Sequence, residues 1–326
     1  MTERRRAVFF GSGAFAVPIL DALAEAPSVE LVAVVSAPAR PVGRGGTVTP
    51  TPVQRRAEML GLSTLTPERL RRPEPVDAIA RLAPDLLVLA DYGQLVPPAI
   101  LALPAAGALN LHPSLLPRHR GASPIPATIL AGDRETGVSL MLMDAGLDSG
   151  PIVAQIRKPL DGTETAPDLE RRLSEAAADL LATSIAAFFA GALPVVHQAS
   201  QGATMTRPLR RDDGRLDPSS SVRHIERMVR AYQPWPGCWF ESPFGRIVVW
   251  AAKAVPPADH EAASRGSGSA AGTIAADGDG LAIDVADGRL RLLELQLAGG
   301  RRLAASELRR GRPGLVGSRV AGPSLG

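Results

Sequence analysis

Residues 7–26 read AVFFGSGAFAVPILDALAEA: a short apolar run, a glycine turn, and an amphipathic segment with the spacing of a helix. An apolar stretch too short for a buried helix and stopped by Gly11 reads as a strand covered on both faces. The same unit recurs downstream. VELVAVVS at 29–36 and DLLVLADYG at 85–93 are strand-like, and VQRRAEMLG at 53–61 and PVDAIARLA at 75–83 are helix-like. Near-continuous apolar strands alternating with helices predict a parallel sheet with helices on both faces, an α/β, Rossmann-like N-terminal domain. In such a sheet ligands bind beyond the carboxyl ends of the strands. The Gly11-Ser12-Gly13 turn and the segment after Asn110-Leu111-His112 are both expected there.

The turn Gly11-x-Gly13-x-x-Ala16 approximates a dinucleotide fingerprint, but the acid that would grip a ribose is missing. Ser36-Ala37-Pro38 stands at the end of the second strand instead. Residues 37–52, APARPVGRGGTVTPTP, form a Pro/Gly-rich loop that places Arg40 and Arg44 where phosphates could be met; a mobile solvated loop is the other reading. PIVAQIRKPL after Gly150 reads as a strand, and the segment from Ala166 to Gly191 as a long amphipathic helix. These features place a catalytic domain at 1–196 and a polar linker at 197–221. A C-terminal OB-like β-barrel domain follows at 222–312, with a flexible tail at 313–326. In the last long strand the alternation breaks between Leu292 and Leu293, which predicts a bulge or corner.

Composition narrows the function classes. No apolar run approaches the roughly 18 residues of a spanning helix, and the start MTERRRAVFFGSG lacks a signal-peptide pattern, so a cytoplasmic protein is expected. Cys238 is the single cysteine, which excludes disulfide frameworks. It sits between Trp235 and Trp239 and reads as a small buried hydrophobe. The five histidines form no H-x-x-x-H pair, so no metal is expected. Residues 1–150 carry 14 basic and 14 acidic side chains, whereas 201–326 carry 18 and 13. The surplus of charge lies in the C-terminal third, compatible with a polyanion partner.

The chemistry concentrates in 107–150, GALNLHPSLLPRHRGASPIPATILAGDRETGVSLMLMDAGLDSG. On a strand, Asn110 and His112 leave the same face while Leu109 and Leu111 leave the other. An amide beside an imidazole, with a carboxylate such as Asp148 to pair it, suits stabilisation of an oxyanion in acyl transfer. The chain has no G-x-S-x-G, so the attacking nucleophile is expected from the substrate, with Asp148 accepting its proton. The blander alternatives stay open: His112 as a satisfied core histidine and Asp148 as a turn residue before Gly150. Spacing alone does not bring residues 112 and 148 together.

Asn-x-His followed by Ser-Leu-Leu-Pro-x-x-Arg-Gly, then Leu-Asp-Ser-Gly with its aspartate 36 positions after the histidine, resembles the formyltetrahydrofolate-dependent formyltransferases. The resemblance covers about residues 7–312 and includes VFFGSGAFAVPIL, RPVGRG with TPTPV, ADYGQLVP, RAYQPWPGCW and LQLAGGRRLAASEL. It points to those members that act on a charged tRNA. It implies that Asn110 and His112 polarise the formyl group and that Asp148 keeps His112 protonated. It implies 10-formyltetrahydrofolate as co-substrate, lined by Asp91, Tyr92, Gly93, Ser114, Leu115, Leu116, Pro117 and Asp144. The implied acceptor is the α-amino group of initiator methionyl-tRNA, met by Arg40 and Arg44 and held by the barrel through phosphate contacts, with the enzyme acting as a monomer. The sequence departs from the pattern at Gly45-Gly46-Thr47-Val48 and in MTRPLRR, where lysines are usual, and at Asp91 and Pro126. A formyltransferase acting on a nucleotide-sugar amine, a formyltetrahydrofolate hydrolase and a noncatalytic RNA-binding relative are the competing expectations.

Overall fold

The structure is a computed structural model and describes residues 4–42, 46–255 and 270–320. The chain divides into two compact units. The first comprises Met1–Pro124, Glu135–Pro159 and Leu169–Thr206, and the second Ile125–Arg134, Leu160–Asp168 and Arg207–Gly326.

The first unit is built on a seven-stranded sheet. Its strands are β1 (Arg5–Gly11), β2 (Val29–Val35), β5 (Thr64–Leu65), β6 (Leu86–Ala90), β7 (Ala108–His112), β9 (Glu135–Leu142) and β10 (Ile152–Pro159), in the order β10-β9-β7-β6-β1-β2-β5. The five strands from β7 to β5 pair parallel, as the apolar runs predict, whereas β9 and β10 pair antiparallel at the other edge. Helices α1 (Val17–Glu25), α2 (Pro52–Met59), α3 (Pro73–Arg81) and α4 (Pro98–Leu101) connect the parallel strands, and α6 (Ala166–Phe189) is the long helix expected after β10. Thr51 caps α2, its hydroxyl accepting from the Gln54 N–H at 3.0 Å, with Pro52 at the first helical position. Val8, Phe10, Val35, Leu87 and Leu89 form one buried face against Ile79 and Ile100. From β1 the chain proceeds outward to β2 on one side and returns to β6 on the other. The crevice at this reversal of strand order is where Rossmann-like sheets take ligands.

Two expectations change in this unit. The 37–52 segment contains paired strands, β3 (Arg40–Val42) with β4 (Thr47–Thr49), in place of an unpaired loop. Arg40 meets Glu68 across 2.7 Å on the surface. Arg44 lies outside the described residues. The stretch after 197 is not spacer alone: β11 (Met205–Thr206) pairs parallel with β8 (Arg120–Gly121), which ties this polar segment to the 112–121 loop by backbone bonds that no local periodicity announces.

The second unit is an antiparallel sheet of β12 (Cys238–Ser242), β13 (Gly245–Val255), β14 (Ile274–Asp277), β15 (Gly280–Val285), β16 (Gly288–Leu297) and β17 (Arg302–Ala304). Helix α7 (Val222–Ala231) packs on β13 and β16, capped by Ser221, and α8 (Ala305–Gly311) packs on β15 and β16. Helix α5 (Pro124–Ala131) has nearly all its residues in this unit, where Arg227 donates to the Ala131 carbonyl at 3.4 Å and Arg230 to that of Glu164 at 2.9 Å. The alternation break is a bulge: Ala251 pairs with Glu294 and Ala252 with Leu292, so Leu293 has no cross-strand partner and stands exposed. Residues 313–320 are not frayed. Leu315 and Val320 are buried, and the segment pairs along the free edge of β14, the Ile274 N–H donating to the Ser318 carbonyl at 2.9 Å and the Val320 N–H to that of Gly272 at 2.7 Å. Most of the low-complexity stretch 256–271 lies outside the described residues.

Cys238 is fully buried, and burial pushes its thiol up to about 12. At pH 8 the folded protein is therefore expected to resist alkylation by iodoacetamide and to take up one adduct only after denaturation, as intact mass would report. Stoichiometric labelling of the native protein would contradict this placement.

Candidate active site

The site forms at the carboxyl end of β7. Asn110 pairs with Met141 and His112 with Ser139 across the antiparallel neighbour β9, so both polar residues leave one face of the strand. His112 is 5% exposed and Asn110 half-buried. Burying an imidazole requires partners, and the return of the chain at 144–150 supplies one. Asp148 Oδ1 accepts from Asn110 Nδ2 at 3.4 Å, and its Oδ2 lies 3.6 Å from His112 Nδ1. The other ring nitrogen, Nε2, donates to the His119 carbonyl at 2.9 Å. This bond sets the tautomer with Nδ1 facing Asp148. The carboxylate is itself held, since the Gly121 N–H donates to Asp148 Oδ2 at 2.8 Å.

The 113–121 loop is rigid for identifiable reasons. Ser139 Oγ donates to the Ser114 carbonyl at 2.7 Å and accepts from the Leu116 N–H at 3.0 Å, while Gln155 Nε2 donates to the Leu116 carbonyl and to Ser139 Oγ. The His119 N–H donates to Thr204 Oγ1 at 2.8 Å. Gln198 clamps both halves of the site. Its Nε2 donates to the carbonyls of Asp148 and Gly150 at 2.9 and 2.7 Å, and its Oε1 accepts from the Arg120 guanidinium at 3.0 and 2.8 Å. Asp91, His119 and Asp148 take left-handed backbone angles of +46°, +56° and +50°. Such angles cost of order 1–2 kcal/mol for a residue with a Cβ and persist where surrounding bonds enforce them.

Electrostatics corrects one expectation. Burial lowers the readiness of His112 to take a second proton, and the Asp148 charge and the His119 carbonyl oppose this without overcoming it. Asp148 at 3.6 Å thus opposes the loss of solvation without offsetting it, and the ring takes a second proton less readily than a free imidazole. A lowered folded-state value means the folded protein binds the proton less readily than the unfolded chain. The associated stability is present above the ordinary histidine value of about 6.5 and is lost as pH falls below it. Urea midpoints are expected to drop from pH 7 to pH 5.5, and His112→Gln to flatten that slope. Asp91 and Glu170, both raised chiefly by burial, have the opposite sign, so the difference between parent and variant isolates the histidine. An unchanged slope in the variant would refute the assignment.

The other expected residues are distributed unevenly. Asp91 follows β6 at the switch point and rests against Gly13, where a Cβ would overlap its carboxylate. It is reached by solvent yet crowded on its protein side, which raises its carboxyl. Tyr92 turns inward, its ring edge-on to Phe10 at 5.4 Å, and burial pushes its hydroxyl up to about 12. Gly93 is open. Ser114 is buried, its hydroxyl donating to the Arg118 carbonyl, and Leu116 is buried beside it, so these two shape the loop, with half-buried Leu115 and Pro117 between and after them. Asp144 caps its own turn through the Gly146 N–H and the Ser149 hydroxyl. No local pattern marked His119, Ser139, Gln155, Gln198 or Thr204, whose roles rest on contacts between distant segments; the Arg-Gly pair at 120–121 was the one local signal. Among the described residues no group of three His, Cys, Asp or Glu side chains could hold a metal ion, and no helix is long and apolar enough to cross a membrane.

Comparison with known proteins divides the chain into two consecutive matches. The family model for formyl transferases matches residues 4–185, and that for the formyl transferase C-terminal domain matches 208–313. The methionyl-tRNA formyltransferase of Roseiflexus sp. (strain RS-1) is 42% identical over 313 residues, 94% of this chain and 92% of that protein. That of Halorhodospira halophila is 43% identical over 310 residues, 94% and 96% of the two chains. Among solved structures, the sugar 3N-formyl transferase WlaRD superposes with a TM-score of 0.64 at 14% identity, covering 92% of this chain and 98% of its own. HypX from Aquifex aeolicus in complex with tetrahydrofolic acid gives 0.61 at 15% identity over 94% of this chain and 47% of its own. The last two establish a shared fold. The full-length relatives establish more: this chain is a formyl transferase and belongs to the methionyl-tRNA formyltransferase family.

Proposed function

We propose that the protein transfers the formyl group of 10-formyltetrahydrofolate to the α-amino group of methionyl initiator tRNA. The observation that carries the reading is the convergence of Asn110, His112 and Asp148 in one partly buried cluster, in a chain whose relatives of that name match it nearly end to end. Bound 10-formyltetrahydrofolate supplies the electrophilic formyl carbon. For its ring system, support comes from the Tyr92 hydroxyl, buried with no hydrogen-bond partner among the described residues, and from the exposed side chain of Leu147 in the 144–148 loop expected to line it. Asp91, Gly93 and Asp144 would add polar contacts at the rim.

The division of labour follows from which hydrogens are free. Both ring nitrogens of His112 are engaged, Nε2 with the His119 carbonyl and Nδ1 facing Asp148. Asn110 spends one amide hydrogen on Asp148 and keeps a second, which is the donor for the developing oxyanion. Asp148 and His112 take the proton that the attacking amine sheds, and it passes to the folate nitrogen as the bond from that nitrogen to the formyl carbon breaks and tetrahydrofolate leaves. A proton arriving at Nδ1 gives an imidazolium donating to both a carbonyl and a carboxylate, so the pair accepts a charge that the resting ring does not hold. Arg40 and Arg44 are the proposed contacts to the acceptor end of the tRNA. Arg40 would have to exchange its exposed pair with Glu68, an exchange that costs little because such pairs are worth about 0–1 kcal/mol.

The test is incubation with 10-formyltetrahydrofolate and charged initiator tRNA, with a nucleotide-sugar amine in parallel. Formyl-methionyl-tRNA is the expected product. Turnover of the sugar without it would replace this reading by the sugar-acting one.

A further inference from the structure

Residues 66–72, TPERLRR, lie outside the cluster at Asn110, and they break a local rule. Arg72 is the N-cap of α3, makes no side-chain bond to the helix, and is exposed. A helix N-terminus favours an anion, so a cation at this position is a conflict that no packing contact explains. Arg69 and Arg71 are exposed beside it, and among the described residues none of the three meets a carboxylate. The acid next to them, Glu68, is taken by Arg40 at 2.7 Å. Glu74 in the first turn of α3 is exposed and pairs with none of them.

The turn that carries these charges is held in shape. Leu70 is buried between them, and the Arg72 N–H donates to the Arg69 carbonyl at 3.2 Å. Gln94 clamps the turn from outside, its Oε1 accepting from the Leu70 N–H at 2.9 Å and its Nε2 donating to the Pro67 carbonyl at 3.0 Å. Holding three like charges on one fixed turn costs self-repulsion that a multiply charged anion would relieve. The placement says which anion. The turn follows β5 and Gln94 follows β6, so both lie at the carboxyl end of the parallel strands, as Asn110 and His112 do. Gln94 is the residue after Asp91-Tyr92-Gly93, the loop expected to line the folate, and its neighbour Leu95 stands 85% exposed. Away from its ring system a folate carries an apolar aminobenzoyl group and then glutamate. Further glutamates joined through the γ-carboxyl each add a free α-carboxylate, and planar guanidinium forks match carboxylates.

We infer that Arg69, Arg71 and Arg72 bind the carboxylates of a γ-linked glutamate tail on the folate co-substrate, so that the enzyme prefers the polyglutamylated form. This deepens the reading above and rests on it. The test is calorimetric titration of the full chain with 5-formyltetrahydrofolate, which does not present its formyl group for transfer, carrying either one or five glutamates. Thermal melts confirm that each variant is folded. The longer tail is expected to bind about tenfold more tightly, the sum of three exposed ion pairs, with a margin that shrinks at high salt. In the combined variant Arg69→Gln, Arg71→Gln, Arg72→Gln the two tails are expected to bind alike. Equal affinity of both tails for the parent, or an undiminished margin in the variant, would overturn the inference, and formylation of tRNA by that same parent would leave the functional reading standing. A variant that keeps the margin but loses affinity for tRNA would assign the three cations to the acceptor instead. Failure of the parent to bind either folate would remove the functional reading and this inference together.

Discussion

Asp148→Asn is expected to lower kcat for formyl transfer by about three orders of magnitude with little change in KM for either substrate, the scale on which positioned proton acceptors act. The substitution removes the charge and also the Asn110 contact, since an amide whose oxygen stays on the Gly121 N–H turns its NH2 toward the Asn110 NH2. Asparagine tolerates the left-handed backbone that residue 148 adopts, and its side-chain oxygen can still accept from the Gly121 N–H, so the loop is expected to keep its shape. What is lost is the anion beside His112 Nδ1. Burial already disfavours the charged ring, and without the carboxylate nothing nearby compensates a proton arriving there. Single-turnover rates with charged tRNA, set beside urea melts, separate this loss from unfolding. A variant within about tenfold of the parent would mean that bulk solvent takes the amine proton and that Asp148 only shapes the turn.

Gly121→Ala is expected to be nearly as damaging for a different reason. Gly121 has a φ of +97°, and a Cβ there would overlap the Thr206 carbonyl. The parallel pairing of β8 with β11 must then open, carrying away the N–H that holds Asp148 Oδ2 and shifting the segment that bears Arg120. Gly162 provides the comparison, since its φ is +87° and a Cβ there meets nothing within 4 Å. Gly162→Ala is expected to lose about 1–2 kcal/mol from the left-handed backbone alone. Gly121→Ala is expected to lose about 3 kcal/mol or more in urea and most of its kcat, because overlap and a lost carboxylate contact add to that backbone cost. Equal stability losses in the two variants would show that the β8–β11 pair yields freely and does not position the aspartate.

Both predictions turn on contacts that differ in how far they could be read beforehand. The parallel half of the sheet was legible because AVFF, VELVAVV and LLVLA are buried on both faces, and burial of that kind leaves a local record. That Asn110 and His112 share one face of β7 was legible because strand geometry has a period of two. The β3–β4 pair was not, since proline and glycine dominate its surroundings and its pairing rests on a few backbone bonds. Nor was the docking of residues 313–320, where isolated Leu315 and Val320 between glycines form no pattern but fit an uncovered edge.

The amino-acid sequence by itself therefore determined the layered α/β unit, the antiparallel second unit and the polar residues at the end of β7, all of which follow from hydrophobic periodicity and strand parity. Only the tertiary structure decided that Asp148 reaches His112, that Gln198 and Thr204 return from a stretch resembling spacer to hold them, and that the ring is less readily charged than its carboxylate partner suggests. Those are matters of long-range hydrogen bonds and of solvent removed from a particular atom. Neither quantity has a period along the chain.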